Sequence, residues 1–576
     1  MNKVFPVIFL LLLTSSFAFA DNELLRKAEA GDAEAQFKIA AMYASGKIGN
    51  KSAEDRKKVF EFLEKSASQN YLKSQEILCK QYLDRGNYNK ALEWSKAAMG
   101  KGSTVGKSVM AYLLYYGENV IPIDKTKAYN LIKECPNEAL SKTLLGVFHS
   151  EGWFDIEKDL SRAEKYASEA IREKCSKAYV LLCSVCLKKY SLNHDKKYLY
   201  KIEDALEDGL KNNPFNQELK LFKAIYYLKL VPNDENKKKG LEILENSIKE
   251  NNKDAYEILA EYELETNHNQ SKALEYLLKA SDNYCSDASF KVFNLLIRGE
   301  DEKGLKLEKD STKAKEILLK ALSFNNQKFI EKYIPLYRMA EKTPEYRKML
   351  GEAYLENFNS NKYIKIAANN GSPSMMFLYS IRLIDNEEET MKYVTGSANM
   401  GWADAQAFLA MNYHINGEYD DAYFWAEKAD KQGHCFGTKI MGEFTVNGRA
   451  SLMTPDEGAK KIREAIFKGC DLNSASALQS YYQFRKGDYY SAYLWGTVYL
   501  LGFQYSDDMK DRFQTTLNEL ESQLSEDEIE SAKKEAEEIV KDNQQALQRN
   551  KEVNLSLYGD DYYMFNISKP IQINKK

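Results

Sequence analysis

At 576 residues the chain is longer than one hydrophobic core serves, so it holds several domains or a repeat array. Its 44% hydrophobic and 29% charged residues give the balance of a soluble globular protein and exclude a disordered one. The 81 basic and 85 acidic residues leave a formal net charge of −4, which excludes the basic footprint of a nucleic-acid binder.

Residues 1–20 read as a signal peptide. Lys3 supplies the positive end, Val4 to Leu13 the apolar core, and Ala18-Phe19-Ala20 a small-x-small site that predicts cleavage after Ala20. The apolar run falls short of the roughly 20 residues that span a bilayer, although a retained signal anchor stays open. No cysteine follows the apolar core to carry a lipid, and no later run could cross a membrane. The expectation is an exported protein, periplasmic or secreted.

Residues 21–190 carry a recurring pattern. Ala28-Glu29-Ala30-Gly31 leads into Ala35, Ile39 and Tyr43, and then Gly46. Next comes Gly86-Asn87-Tyr88-Asn89-Lys90-Ala91-Leu92-Glu93-Trp94. Its glycine and polar residue suit a turn and an N-cap, and its Tyr, Ala and Trp, spaced by three, share one helix face. Gly100-Lys101-Gly102-Ser103-Thr104-Val105-Gly106-Lys107-Ser108 mimics a phosphate loop. The glycine such a loop needs five positions before Gly106 is Lys101, and no strand precedes it, so nucleotide binding is not expected. Asp124, Lys127-Ala128 and Leu131, then Leu145-Gly146 with Phe148, continue the pattern. Cys79 and Cys183 each follow a leucine at the position Gly146 holds, and so read as small buried residues. Cys186 takes the aromatic position of the same helix as Cys183.

Across 191–350 the pattern thins, and we read degenerate repeats rather than a separate domain. Lys272-Ala273 to Ala280 and Lys313-Ala314 to Ala321 still mark second helices, and Asn212-Asn213-Pro214 marks a boundary. Over 351–505 the pattern returns. Ala398-Asn399-Met400-Gly401 leads into Ala405, Leu409 and Tyr413, then Gly417. Two more copies of the second motif run from Gly417 through Tyr419 and Ala422 to Trp425, and from Gly487 through Tyr489 and Ala492 to Trp495. The order is turn, helix A, turn, helix B, about every 35–40 residues, with small residues where helices approach and aromatics where the gap is filled. Within 506–576, Ser525 and Glu528 form a capping box that opens a polar helix through about Asn550. Such a helix seals the last apolar face of an array. The tail from Val553 carries Tyr558, Tyr562, Tyr563 and Phe565, and docking as an extended strand and a mobile end are both open.

These residues resemble the Sel1-like repeat, a relative of the tetratricopeptide repeat. The resemblance implies an all-α fold: a right-handed α/α superhelical solenoid of Sel1-like helix pairs, with a long concave surface. It also implies a non-enzymatic scaffold that binds one or more proteins. Some exported Sel1-like proteins staple each repeat with a regular cysteine pair. Here Cys135, Cys175, Cys285, Cys435 and Cys470 fall near the starts of first helices and follow no such pairing. Corresponding cysteines of neighbouring repeats are expected to lie one helix spacing apart, about 8–10 Å, beyond the roughly 7 Å that a disulfide bridges. The departure also weakens any carry-over of β-lactam activity from that group.

No residue is assigned a catalytic, cofactor or metal role. None of the five histidines pairs with another at zinc spacing, and no GxSxG or HExxH occurs. His434-Cys435 with Cys470 comes nearest to a metal set and reads as polar junction residues. Binding has a better signal, because the 39 tyrosines exceed what the repeat consumes. The densest aromatic run is Tyr481, Tyr482, Phe484, Tyr489, Tyr490, Tyr493, Trp495 and Tyr499. Tyr489 and Trp495 occupy repeat positions expected in the core, which leaves Tyr481, Tyr482, Phe484 and Tyr490 as candidate partner-binding residues. The alternative class is a cell-envelope factor that binds peptidoglycan or organises an exopolysaccharide or secretion assembly. A β-lactamase-like hydrolase is the third.

Overall fold

Each helix pair is joined to the next by one local device, a Schellman turn. In the computed structural model, which describes residues 23–558 except 51, 118–119, 251, 283–286, 384–385, 450–452 and 503–506, the same positive-φ residue closes helix after helix. Gly31, Asn70, Gly401, Gly433 and Gly469 have φ of 105°, 67°, 94°, 77° and 83°. The amide after each donates back five residues: Asp32 to the Lys27 carbonyl, Tyr71 to Ser66, Trp402 to Ser397, His434 to Ala429 and Cys470 to Ala465, at 3.0–3.2 Å. This satisfies carbonyls that a helix end otherwise orphans.

A second device locks the junction. The buried Gln36, Gln75 and Gln406 each donate Nε2 to a carbonyl eight residues back, those of Ala28, Ala67 and Ala398, at 3.0–3.1 Å. Gln69 then donates to Gln36 Oε1 at 2.8 Å, and Gln432 to Gln406 Oε1 at 2.7 Å. A buried amide side chain is stable only when its polar atoms are satisfied. These glutamines, each two residues before the helix turns fully inward, therefore fix how consecutive pairs meet.

The fold is all-α. Among the described residues there is no strand, only the isolated bridges Trp153–Ile156 and Glu300–Lys306. Helices pack consecutively in pairs, an α-solenoid organisation. The small-residue reading holds at the crossings. Ala91, Ala98, Ala163, Ala167, Ala422 and Ala429 are fully buried, as are Cys79, Cys183 and Cys186. At Gly146 an added Cβ would lie 2.5 Å from Leu181 Cδ2 and 3.2 Å from the Ala163 carbonyl oxygen, so only glycine admits that approach.

The chain divides into two compact units. The first comprises Met1–Ser150 with Asp159–Asn326. Its helices continue without a change of type through the segment where the repeat signal thins, from Lys197–Asn212 to Ser311–Ser323. Asn216, Asn233, Asn269 and Asp310 cap the starts of four of them. The second unit comprises Glu151–Lys158 with Gln327–Lys576. Within it Asn399 Nδ2 donates to the Phe154 carbonyl at 3.0 Å, and the Phe154 ring meets Tyr393 edge-on at 5.3 Å.

The second unit ends in a 33-residue helix, Glu526–Tyr558. Its capping box is in place: the Ser525 amide donates to Glu528 Oε2 at 2.8 Å, and the Glu528 amide donates to Ser525 Oγ at 3.3 Å. Ala532, Ala536, Ile539 and Val540 join one apolar cluster with Tyr493, Trp495 and Val498. Asn543 Nδ2 donates to the carbonyls of Ile466 and Cys470, each at 2.7 Å. The terminal helix thus buries the last apolar face and satisfies the carbonyl end of the helix Pro455–Phe467. The expected end near Asn550 is corrected, since the helix runs on to Tyr558 and takes in the first residues of the tail. Tyr562, Tyr563 and Phe565, and the signal-peptide reading of residues 1–20, lie outside the described residues.

Candidate functional site

The aromatic run lies on the last repeat of the second unit. The helix Ala475–Tyr481 passes into a π-turn over Tyr482–Lys486, and Gly487, at φ 67°, ends it. Asp488 Oδ1 accepts from the Ser491 amide at 3.0 Å and starts the helix Tyr489–Gly502. In an unbroken α-helix Tyr481 and Phe484, three apart, would share the buried face. The wider turn rotates Phe484 away, and insertions of this kind recur at functional positions.

The four candidates end in different surroundings. Tyr481 is 3% exposed, a core residue, and its hydroxyl donates to the Asp456 carboxylate. Burial raises its pKa, and the hydrogen bond to Asp456 adds to the rise. Lys486 Nζ pairs with Asp456 Oδ1 at 2.7 Å, and with Tyr481 it holds the Asp456 carboxyl below the ordinary carboxylate range. Tyr482 is half-buried, and its hydroxyl accepts from Arg463 Nη1 at 2.6 Å. Tyr490 is half-buried against the terminal helix and donates to Glu535 Oε2 at 3.0 Å. Phe484 alone of the four stands out in solvent, 77% exposed, between the exposed Gln-to-Lys turn residues Arg485 and Lys486.

Sequence reasoning misplaced Tyr489. It is 41% exposed, and Tyr419 at the equivalent position is 40% exposed. Both are the first residue of their helices, where the side chain tilts toward the N-terminus and projects past the crossing that buries Ala and Trp three and six residues later. The exposed surface therefore gains Tyr489 beside Phe484, Arg485 and Lys486.

The cysteine spacing also needs correction. Cys435 and Cys470 are in side-chain hydrogen-bonding contact. They do not occupy corresponding positions. His434 and Cys470 correspond, each being the residue that closes a Schellman turn, and Cys435 stands one residue further along. That offset brings it toward Cys470. All seven described cysteines are free thiols, and Cys285 lies outside the described residues. The phosphate-loop mimic is a repeat junction, where Ser103 Oγ accepts from the Gly106 amide at 3.0 Å and donates to Glu76 Oε1 at 2.6 Å. Among the described residues no group of three or more His, Cys, Asp or Glu side chains is placed to hold a metal ion. No described helix is long and apolar enough to cross a membrane.

The family model for the Sel1 repeat matches residues 33–71, 80–102, 108–133, 139–174 and 258–284. No curated protein matches the chain. Among solved structures, one similar chain is a protective antigen present in uropathogenic Escherichia coli strains, displaying an SLR fold. It is 17% identical, with a TM-score of 0.31, and the match covers 96% of this chain and 99% of that one. Another is a Sel1 repeat protein from Oxalobacter formigenes, 17% identical, with a TM-score of 0.25, covering 52% of this chain and 86% of that one.

Proposed function

This chain is a Sel1-like repeat protein, and on that premise we propose that it is an exported, non-enzymatic scaffold whose C-terminal aromatic surface holds a protein partner. The observation that carries the reading is Phe484, a large ring 77% exposed on a turn that its neighbours fasten from below. Tyr481 and Lys486 tie the turn to Asp456, and Tyr482 ties it to Arg463. A ring presented on a fastened backbone loses little conformational entropy when a partner covers it. Arg485 and Lys486 beside it favour a partner with carboxylates around an apolar pocket. Export rests on Lys3, the apolar run Val4 to Leu13 and Ala18-Phe19-Ala20. In this reading Tyr482 and Tyr490 flank the contact, and Tyr481 supports it from within.

A glycan of the cell wall would stack on the same ring, so the test carries both arms. Wild type and Phe484→Ser are compared for retention on purified sacculi and for capture of proteins from the native compartment. The expected result is a captured protein whose yield falls at least about tenfold in the variant, as loss of an interface aromatic that contributes about 2 kcal/mol predicts. Retention on sacculi that Phe484→Ser abolishes, without a captured protein, would replace this reading with the envelope one.

A further inference from the structure

Two thiols meet where consecutive repeats join. Cys435 is the first residue of the twelve-residue helix Cys435–Val446 and is partly exposed. Cys470 closes the next Schellman turn, is 1% exposed, and leads through Leu472–Ser474 into the helix Ala475–Tyr481. The two side chains are in hydrogen-bonding contact. The junction around them is fixed. Lys439 Nζ bonds both carboxylate oxygens of Asp471 at 2.8 Å, His434 Nε2 lies 3.0 Å from Asp404 Oδ1, and the Cys470 carbonyl accepts from Asn543.

We propose that Cys435 and Cys470 are a redox-active dithiol, a modification site that closes a disulfide between neighbouring repeat junctions by exchange with a small-molecule disulfide. The division of labour follows from their placement. The partly exposed Cys435 is the thiol that an incoming disulfide can reach, and the buried Cys470 is the one that resolves. Chemistry agrees with geometry. The hydrogen bond from Cys470 lowers the pKa of Cys435, and positive charge from His434 and Lys439 adds to this. Burial raises Cys470. Elsewhere burial pushes the Cys79 thiol up to about 12 and Cys186 up to about 11, and it raises Cys135, Cys175 and Cys183. Cys435 is therefore the described cysteine most available as thiolate.

The step balances. The Cys435 thiolate attacks one sulfur of the added disulfide, whose S–S bond breaks, and the departing thiolate takes up the proton that Cys435 released. Cys470 then loses its proton and attacks the Cys435 sulfur of the mixed disulfide, releasing the second small thiol. Two protein thiols become one disulfide, and the small disulfide is reduced to two thiols. The new bond ties the head of one helix to the turn that leads to the Tyr481–Lys486 surface.

The test treats folded, full-length protein with oxidised glutathione, blocks remaining thiols, and maps peptides by mass spectrometry without reduction. The expected result is a crosslinked peptide joining Cys435 to Cys470, formed ahead of modification at any other cysteine and reversed by reductant. Cys470→Ser should instead trap a stable glutathione adduct on Cys435, and Cys435→Ser should leave Cys470 reduced. Far-UV circular dichroism of both serine variants establishes that they are folded. Persistence of both thiols in the wild type, or earlier modification elsewhere, overturns the proposal. A folded Cys470→Ser variant with no adduct at Cys435 does so as well.

Discussion

Tyr481→Ser is expected to lower stability by about 3–5 kcal/mol, the range for emptying a large buried aromatic position, while Phe484→Ser leaves it within about 0.5 kcal/mol. Tyr481 packs in the cluster formed by Leu478, Ala492, Tyr493 and the terminal helix, and its hydroxyl is one of two partners drawn onto Asp456. Serine leaves a cavity there, and Asp456 keeps only Lys486. Phe484 has no such role, being 77% exposed. Tyr482→Ser and Tyr490→Ser fall between, since each ring is partly buried against the cluster and each hydroxyl holds one partner. Thermal or denaturant melts of the four single variants measure this. A loss at Phe484 equal to that at Tyr481 would place both in the core and remove the exposed surface from the account.

Gly437→Leu should be comparably severe, for the opposite reason. A Cβ at this position would lie 2.6 Å from the Asp430 amide nitrogen, 2.7 Å from Ala429 Cβ and 2.9 Å from the Ala426 carbonyl oxygen. Two helices cross there backbone to backbone. Overpacking typically costs about 1–3 kcal/mol and occasionally more, and leucine adds three further carbons, so a loss of about 3 kcal/mol or above is expected. Asp421→Ala, on the exposed face of the helix Tyr419–Asp430, should stay within about 0.5 kcal/mol. In an array held by nearest-neighbour contacts the damage is local. Amide exchange should therefore rise first in Tyr419–Asp430 and Cys435–Val446 and fade with distance along the chain. Uniformly faster exchange would mean that the repeats do not couple only to their neighbours.

The helix pairs were legible because their chemistry is periodic. A glycine or alanine at each crossing and a glycine or asparagine at each turn leave marks at fixed spacing, and the structure uses them so at Gly31, Asn70, Gly401 and Gly433. The spans matched by the family model end at residue 284, yet the junctions after Gly401 and Gly433 carry the same hydrogen bonds as those after Gly31 and Asn70. Gln36, Gln75 and Gln406 were legible in principle, since each follows a small residue near the start of a first helix, but polar residues there read as surface.

The surface was harder to read. A π-turn inserts one residue without disturbing the apolar period on either side, so the exposure of Phe484 has no sequence signature. Tyr489 was taken for core because its spacing matches Ala492 and Trp495, but a first-turn side chain leans out of the crossing. Cys435 and Cys470 looked too distant because equal register was assumed, and a one-residue offset was enough to bring them together.

The most direct test of the scaffold reading is site-specific photo-crosslinking in the native compartment. A photoreactive phenylalanine derivative replaces Phe484 in one protein and Leu192, 75% exposed in the first unit, in another. A discrete protein adduct from position 484, absent from position 192, is the predicted result. No adduct from position 484, or the same adducts from both positions, would contradict it.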